Sequence, residues 1–159
     1  RTVINPLNPD RIYITTGIGM YVRSDGGATW EQWTDLQHEI GGYPDLLVLH
    51  PRQPELMFVA SAEKGPRSWR KSHFAGSRVS KSTDGGKTWQ ILRQGLPDRL
   101  RPAFEAMALE DWGDSFSLFA ATATGEVWCS DDGGEHWSEV VSGLAPISKG
   151  DHYAAFVTA

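Results

Sequence analysis

Apolar and polar residues alternate in short runs along most of the chain, and Gly, Pro, Asp and Asn interrupt the runs. That period of two predicts β-strands half-buried against a core. Twelve runs stand out in three groups of four: 2–5, 11–16, 20–24 and 29–34; 45–50, 56–61, 78–82 and 88–93; 104–109, 117–121, 126–130 and 136–141. They are rich in Val, Ile, Leu, Phe, Tyr and Trp, which favour strands. No stretch shows a convincing helical period. A thirteenth run, 152–159, reads as the first strand of a further group.

The grouping is a repeat. Each group carries Asp-Gly-Gly-x-(Thr/His)-Trp between its third and fourth runs. Arg23-Ser24-Asp25-Gly26-Gly27-Ala28-Thr29-Trp30 is the first copy. Ser82-Thr83-Asp84-Gly85-Gly86-Lys87-Thr88-Trp89 is the second, and Ser130-Asp131-Asp132-Gly133-Gly134-Glu135-His136-Trp137 the third. The copies lie about fifty residues apart, a spacing that suits four-stranded units with loops of unequal length. A Pro-bearing phrase before each second run marks a turn: Asn5-Pro6-Leu7, His50-Pro51-Arg52 and a degenerate Glu110-Asp111-Trp112. Adjacent glycines supply the positive φ of a tight hairpin, and the Asp carboxylate accepts N–H groups of its own turn. Asp25, Trp30, Asp84, Trp89, Asp132 and Trp137 are therefore expected to be structural, with each Trp packing as an apolar plug.

The pattern Ser-x-Asp-x-Gly-x-Thr-Trp resembles the Asp-box (BNR) repeat. Ser82, Asp84, Gly86, Thr88 and Trp89 match all five positions. Asp25, Gly27, Thr29 and Trp30 match four, with Arg23 replacing the serine; Ser130, Asp132, Gly134 and Trp137 match four, with His136 replacing the threonine. The resemblance implies an all-β fold, a β-propeller of Asp-box type. Blade 1 is expected over about 1–36, blade 2 over about 43–96, blade 3 over about 103–144, and one extra inner strand over 152–159. Proteins of this kind include sialidases, xyloglucan-type glycoside hydrolases, sortilin-like receptors and photosystem assembly factors. The box is common to enzymes and non-enzymes, so it speaks for fold and not for activity.

Composition narrows the partners. The chain has 159 residues, 40% hydrophobic and 22% charged, as in ordinary globular proteins. Net charge is −5 and pI about 5.5, against a nucleic-acid partner, whose footprint is basic. No apolar run is long enough for membrane insertion. A single cysteine, Cys129, forms no intrachain disulfide and leaves the redox compartment open. The first residue is Arg1 and not Met, which suggests a processed chain or a piece of a longer one. No cysteine–histidine spacing suggests a metal, and no motif implies a cofactor.

In a propeller the box hairpins lie on one face, and the connections from second to third strand and from one blade to the next lie on the other. Candidate chemistry is therefore expected opposite the boxes. The connection from Glu63 to Ser77 is by far the longest, and carries Arg67, Trp69, Arg70, Lys71 and His73. Cations beside aromatics suit a carboxylate, a phosphate or a sugar ring. Aligning the inner strands puts Asp45, Glu105 and Tyr153 at the same place, with Arg101 and His152 close by. Asp45 and Glu105 are candidate acid and base of a glycoside hydrolase, or two polar walls of a channel. Arg67, Trp69, Arg70, His73, Arg101, His152 and Tyr153 are candidate ligand contacts. The first functional expectation is a module recognising carbohydrate or another polar ligand. A glycoside hydrolase and a protein-assembly scaffold are the alternatives. Propellers close with about four to eight blades, so three units imply either part of a longer propeller or a ring completed by another copy or a related chain.

Overall fold

The structure, a computed structural model, describes residues 1–25 and 28–148; of Arg70 only the backbone is described. Three four-stranded antiparallel sheets follow one another along the chain. Sheet one comprises β1 (Thr2–Asn5), β2 (Asn8–Thr16), β3 (Gly19–Arg23) and β4 (Glu31–Gln32). Sheet two comprises β5 (Tyr43–Leu49), β6 (Met57–Ala62), β7 (Arg78–Ser82) and β8 (Gln90–Leu92). Sheet three comprises β9 (Phe104–Asp111), β10 (Phe116–Thr122), β11 (Val127–Ser130) and β12 (Ser138–Val141). In each, strand order follows chain order, and β5 lies against β9 and against β2. The first strands therefore line one side and the fourth strands the other, like three blades around an axis.

The core lies between blades, because alternate residues of a strand point to opposite neighbours. Tyr13, Met20 and Val22 of blade 1 meet Leu47, Met57, Val59 and Trp89 of blade 2. The opposite face of blade 2, with Phe58, Ala60, Val79 and Leu92, meets Leu118, Ala120 and Trp137 of blade 3. Each buried Trp thus fills the seam with the blade before it.

The hairpins satisfy themselves locally. Asp84 Oδ1 accepts the N–H groups of Lys87 and Thr88, and its Oδ2 accepts the Thr88 hydroxyl at 2.6 Å. Ser82 Oγ accepts the Gly86 N–H at 2.8 Å, and Trp89 Nε1 donates to the Gly86 carbonyl at 3.0 Å. Blade 3 repeats this with Ser130, Asp132, Gly134, His136 and Trp137. Asp25 binds Ala28 and Thr29 in the same manner. Trp30 differs from its two counterparts: it is 42% exposed and lies under the Arg23 guanidinium, since no described blade precedes it.

These bonds depress the carboxylates. The Thr88 side chain, followed by its backbone N–H, holds Asp84 well below the usual carboxylate range. The His136 N–H leads in lowering Asp132 from 3.8 to about 2. A carboxyl group more acidic in the folded state stabilises the fold fully above its unfolded value, and that contribution fades as pH falls toward the folded one. The unfolding temperature is therefore expected to drop between about pH 4 and pH 2, and Asp132→Asn to flatten the drop. Thermal melts across that range check it; a flat wild-type profile would show that the hairpin bonds add nothing.

Two expectations are corrected. A helix is present: α1 (Pro66–Ser72) occupies the Glu63–Ser77 connection. Pro66 opens it, where its missing N–H and fixed φ cost nothing, and His73 closes it at φ 51° with its N–H on the Trp69 carbonyl. Seven residues with one buried anchor show no helical period. The fourth strands also start later than their runs suggest, at Glu31, Gln90 and Ser138, because the Thr or His and the Trp belong to the turn.

Candidate functional site

The starts of the inner strands carry the two candidate carboxylates on matching irregularities. In β5 the register with β6 slips between Pro44 and Leu46, leaving Asp45 as the extra residue. In β9 the register with β10 slips at the corresponding place: Ala106 pairs with Ala121 and Phe104 with Thr122, leaving Glu105 as the extra residue. A bulge re-aims its side chain out of the regular alternation. Two adjacent blades use the same device to place an acidic residue at the same height.

Their surroundings differ. Glu105 is buried at 3% exposure. Asp45 is half-buried, its carboxylate 3.5 Å from the Arg1 guanidinium, and its carbonyl accepts the Thr15 hydroxyl at 3.0 Å. Tyr43 stands within reach of both environments. Burial raises its phenol pKa most, the Glu105 charge adds to this, and Arg1 opposes it. Asp45 lines a small pocket, roomy enough for about one water, together with Tyr43, Ser61, Trp69 and Ala103.

Helix α1 closes one side. Trp69 is 5% exposed and packs with Ala62, Ala75 and Ala103, its ring edge-on to Tyr43 with centroids 5.4 Å apart. Its indole faces are therefore engaged in packing within the fold. Arg67 and His73 are exposed on the helix and its cap. Arg101 is also exposed, and its Nε donates to the His73 carbonyl at 2.9 Å, tying the helix end to the next linker. Arg70 contributes its backbone to α1, while His152 and Tyr153 lie outside the described residues.

Two contributors escaped the sequence reading. Arg1 supplies the cation beside Asp45, a pairing that no spacing announces. Glu63 receives Arg78 of β7 at 3.1 Å and also Arg99 of the linker after β8, so one carboxylate of the connection gathers two cations from outside it. Arg78 is nonetheless less basic than usual, chiefly through burial and then through the nearby Arg93. Arg99 also covers the Phe74 ring at 5.4 Å. Among the described residues no three His, Cys, Asp or Glu side chains gather into a metal-binding group.

Neither a protein-family description nor a curated protein sequence matches the chain. Solved structures do. The GH74 enzyme of Niastella koreensis is 19% identical with a TM-score of 0.65, over 93% of this chain and 22% of that one. An ancestral GH74 enzyme is 14% identical with a TM-score of 0.68, over 91% of this chain and 18% of that one. YCF48 bound to D1 peptide is 16% identical with a TM-score of 0.61, over 91% and 40% respectively. Identities this low speak for fold alone. The chain is a partial β-propeller, with three blades among the described residues. It spans about a fifth of the length of the two GH74 enzymes and two fifths of YCF48.

Proposed function

We propose that the chain is a segment of an Asp-box propeller that binds a polar ligand, carbohydrate first, on the face where the inner strands begin. The observation that carries this is the pair of equivalent bulges presenting Asp45 and Glu105 on neighbouring blades. Ordinary channel lining needs no bulge, and a repeated bulge costs ladder pairing in both blades. Asp45, half-buried beside the pocket, contacts the ligand. Glu105 sits behind it, with Tyr43 between the two environments. Arg67, His73 and Arg101 form the rim on the α1 side, and Arg70, His152 and Tyr153 complete the candidate set.

A second reading is favoured by the same pair of carboxylates on neighbouring blades: a glycoside hydrolase. Glu105, on the bulge of the neighbouring blade, takes the place of the acid in this reading. Asp45, whose carboxylate lies 3.5 Å from the Arg1 guanidinium, then activates water, and a carboxyl separation of roughly 6.5–9.5 Å would mark inversion.

The test is affinity electrophoresis in soluble neutral and anionic polysaccharides, with reducing-end release measured alongside. Asp45→Asn and Arg67→Ala are expected to weaken retardation by about 10-fold or more, the range for hydrogen bonds to charged groups. Loss of turnover in Glu105→Gln with binding retained would establish the hydrolase. Retardation unchanged in all three variants, each folded by circular dichroism, would overturn the choice of face.

A further inference from the structure

The two outer faces of the array match each other. Register maps the seam-forming face of blade 2 onto the outward face of blade 3. Ala60, Val79 and Leu92 stand in the same row as Ala121, Val127 and Val141, and Phe58 corresponds to Phe119. In blade 2 this face receives Trp137 and is buried. In blade 3 it is open at Phe119, 37% exposed, Val141, 39%, and Leu144, 47%, while the small Ala121 between them is buried. The complementary half of the seam is the open face of blade 1, where Trp30 occupies the place of Trp89 and Trp137.

Charge positions agree as well. Between blades 2 and 3, Lys81 pairs with Glu135 at 2.7 Å and Arg52 with Asp111 at 2.6 Å. The corresponding positions on the outer faces are Cys129 and Ala28, and Trp112 and Pro6. Both members of each ion pair are replaced together, so joining the outer faces leaves neither half of these two pairs unmatched. Ser117 of blade 3 stands where blade 1 has Arg11, whose guanidinium reaches the next hairpin at the Gly85 carbonyl. Beside Ser117 lies the exposed Asp131, hydrogen-bonded to its hydroxyl. The hairpin to be met there carries Arg23, whose buried Nε has no hydrogen-bond partner. Finally, Gly143 repeats Gly95. A Cβ on Gly95 would lie 1.9 Å from the Trp137 carbonyl oxygen, whereas around Gly143 no described atom is within 4 Å.

We propose that blade 3 docks blade 1 of a second copy of this chain, with Trp30 seated over Phe119 and Arg23 opposite Asp131. The interface is head-to-tail, and two copies close a six-bladed ring through two identical seams.

Sedimentation of the 159-residue chain across a dilution series tests this. The expected species has twice the 17.6 kDa chain mass. Arg23→Glu and Asp131→Arg each place like charges in both seams and are expected to weaken dimerisation by about 100-fold. Mixing the two variants makes one seam Glu–Arg and the other Arg–Asp, so the mixture is expected to dimerise although neither variant does alone. Circular dichroism of each variant confirms that it is folded. A wild-type monomer throughout overturns the proposal. So does a dimer indifferent to both substitutions, an open-ended polymer, or a mixture of folded variants that stays monomeric.

Discussion

Replacing Trp137 with alanine is expected to destabilise the chain by about 3–5 kcal/mol, the range for deleting a buried Trp. The indole is 5% exposed and packs among Phe58, Ala60, Val79 and Leu92 of the preceding blade. Its Nε1 donates to the Gly134 carbonyl at 3.0 Å, so truncation also leaves that carbonyl without its donor. Relaxation into the hole is resisted on both sides, because Gly134 already lies against the Phe58 and Leu92 side chains. Trp89→Ala should cost a similar amount, since Trp89 fills the seam between blades 1 and 2. Trp30→Ala supplies the internal control. Its ring is 42% exposed, and the loss is expected to stay below about 1 kcal/mol. Urea unfolding of the three variants in dilute solution decides this. Equal costs at the three positions would mean that the tryptophans stabilise their own hairpins and not the seams.

That contrast also shows which parts of the molecule were legible in the sequence. Everything confined to eight consecutive residues could be read: the glycines, the Asp that gathers its own turn, and the strands on either side. Trp30 has the same local sequence signature as Trp89, yet its burial depends on a neighbour that no local pattern encodes. Helix α1 was invisible because one buried anchor, Trp69, establishes no period; its neighbours Tyr43 and Ala103 come from distant strands and linkers. At the site, alignment of the inner strands put Asp45 and Glu105 at equivalent positions of successive blades. The bulges that aim them depend on register with β6 and β10, a property of pairing and not of either strand alone. The Arg1–Asp45 pair joins residues whose only link is that blades 1 and 2 pack side by side. Local chemistry thus explains each blade, while contacts between blades decide which of its residues remain available for function.

Gly95→Ala is expected to cost about 3 kcal/mol or more, through two effects that act together. Gly95 has φ +82°, where an L side chain strains the backbone. Its added Cβ would also lie 1.9 Å from the Trp137 carbonyl oxygen and 2.9 Å from the carbonyl carbon. Those atoms are backbone of the next hairpin and have no rotamer to adopt. The linker after β8 must therefore lift away from blade 3, and lifting it breaks the bond from the Trp137 N–H to the Gln94 carbonyl, 2.9 Å long. The damage lands on the seam that Trp137 fills, so Gly95→Ala and Trp137→Ala should be less than additive, as expected for residues in contact. Gly113→Ala separates the two causes. Gly113 has φ +96° but no atom within 4 Å of its added Cβ, so only the backbone strain of about 1–2 kcal/mol remains. Equilibrium unfolding of both variants measures the difference. If Gly95→Ala costs no more than Gly113→Ala, the linker does not bear on the Trp137 hairpin, and the blades are joined by side-chain packing alone.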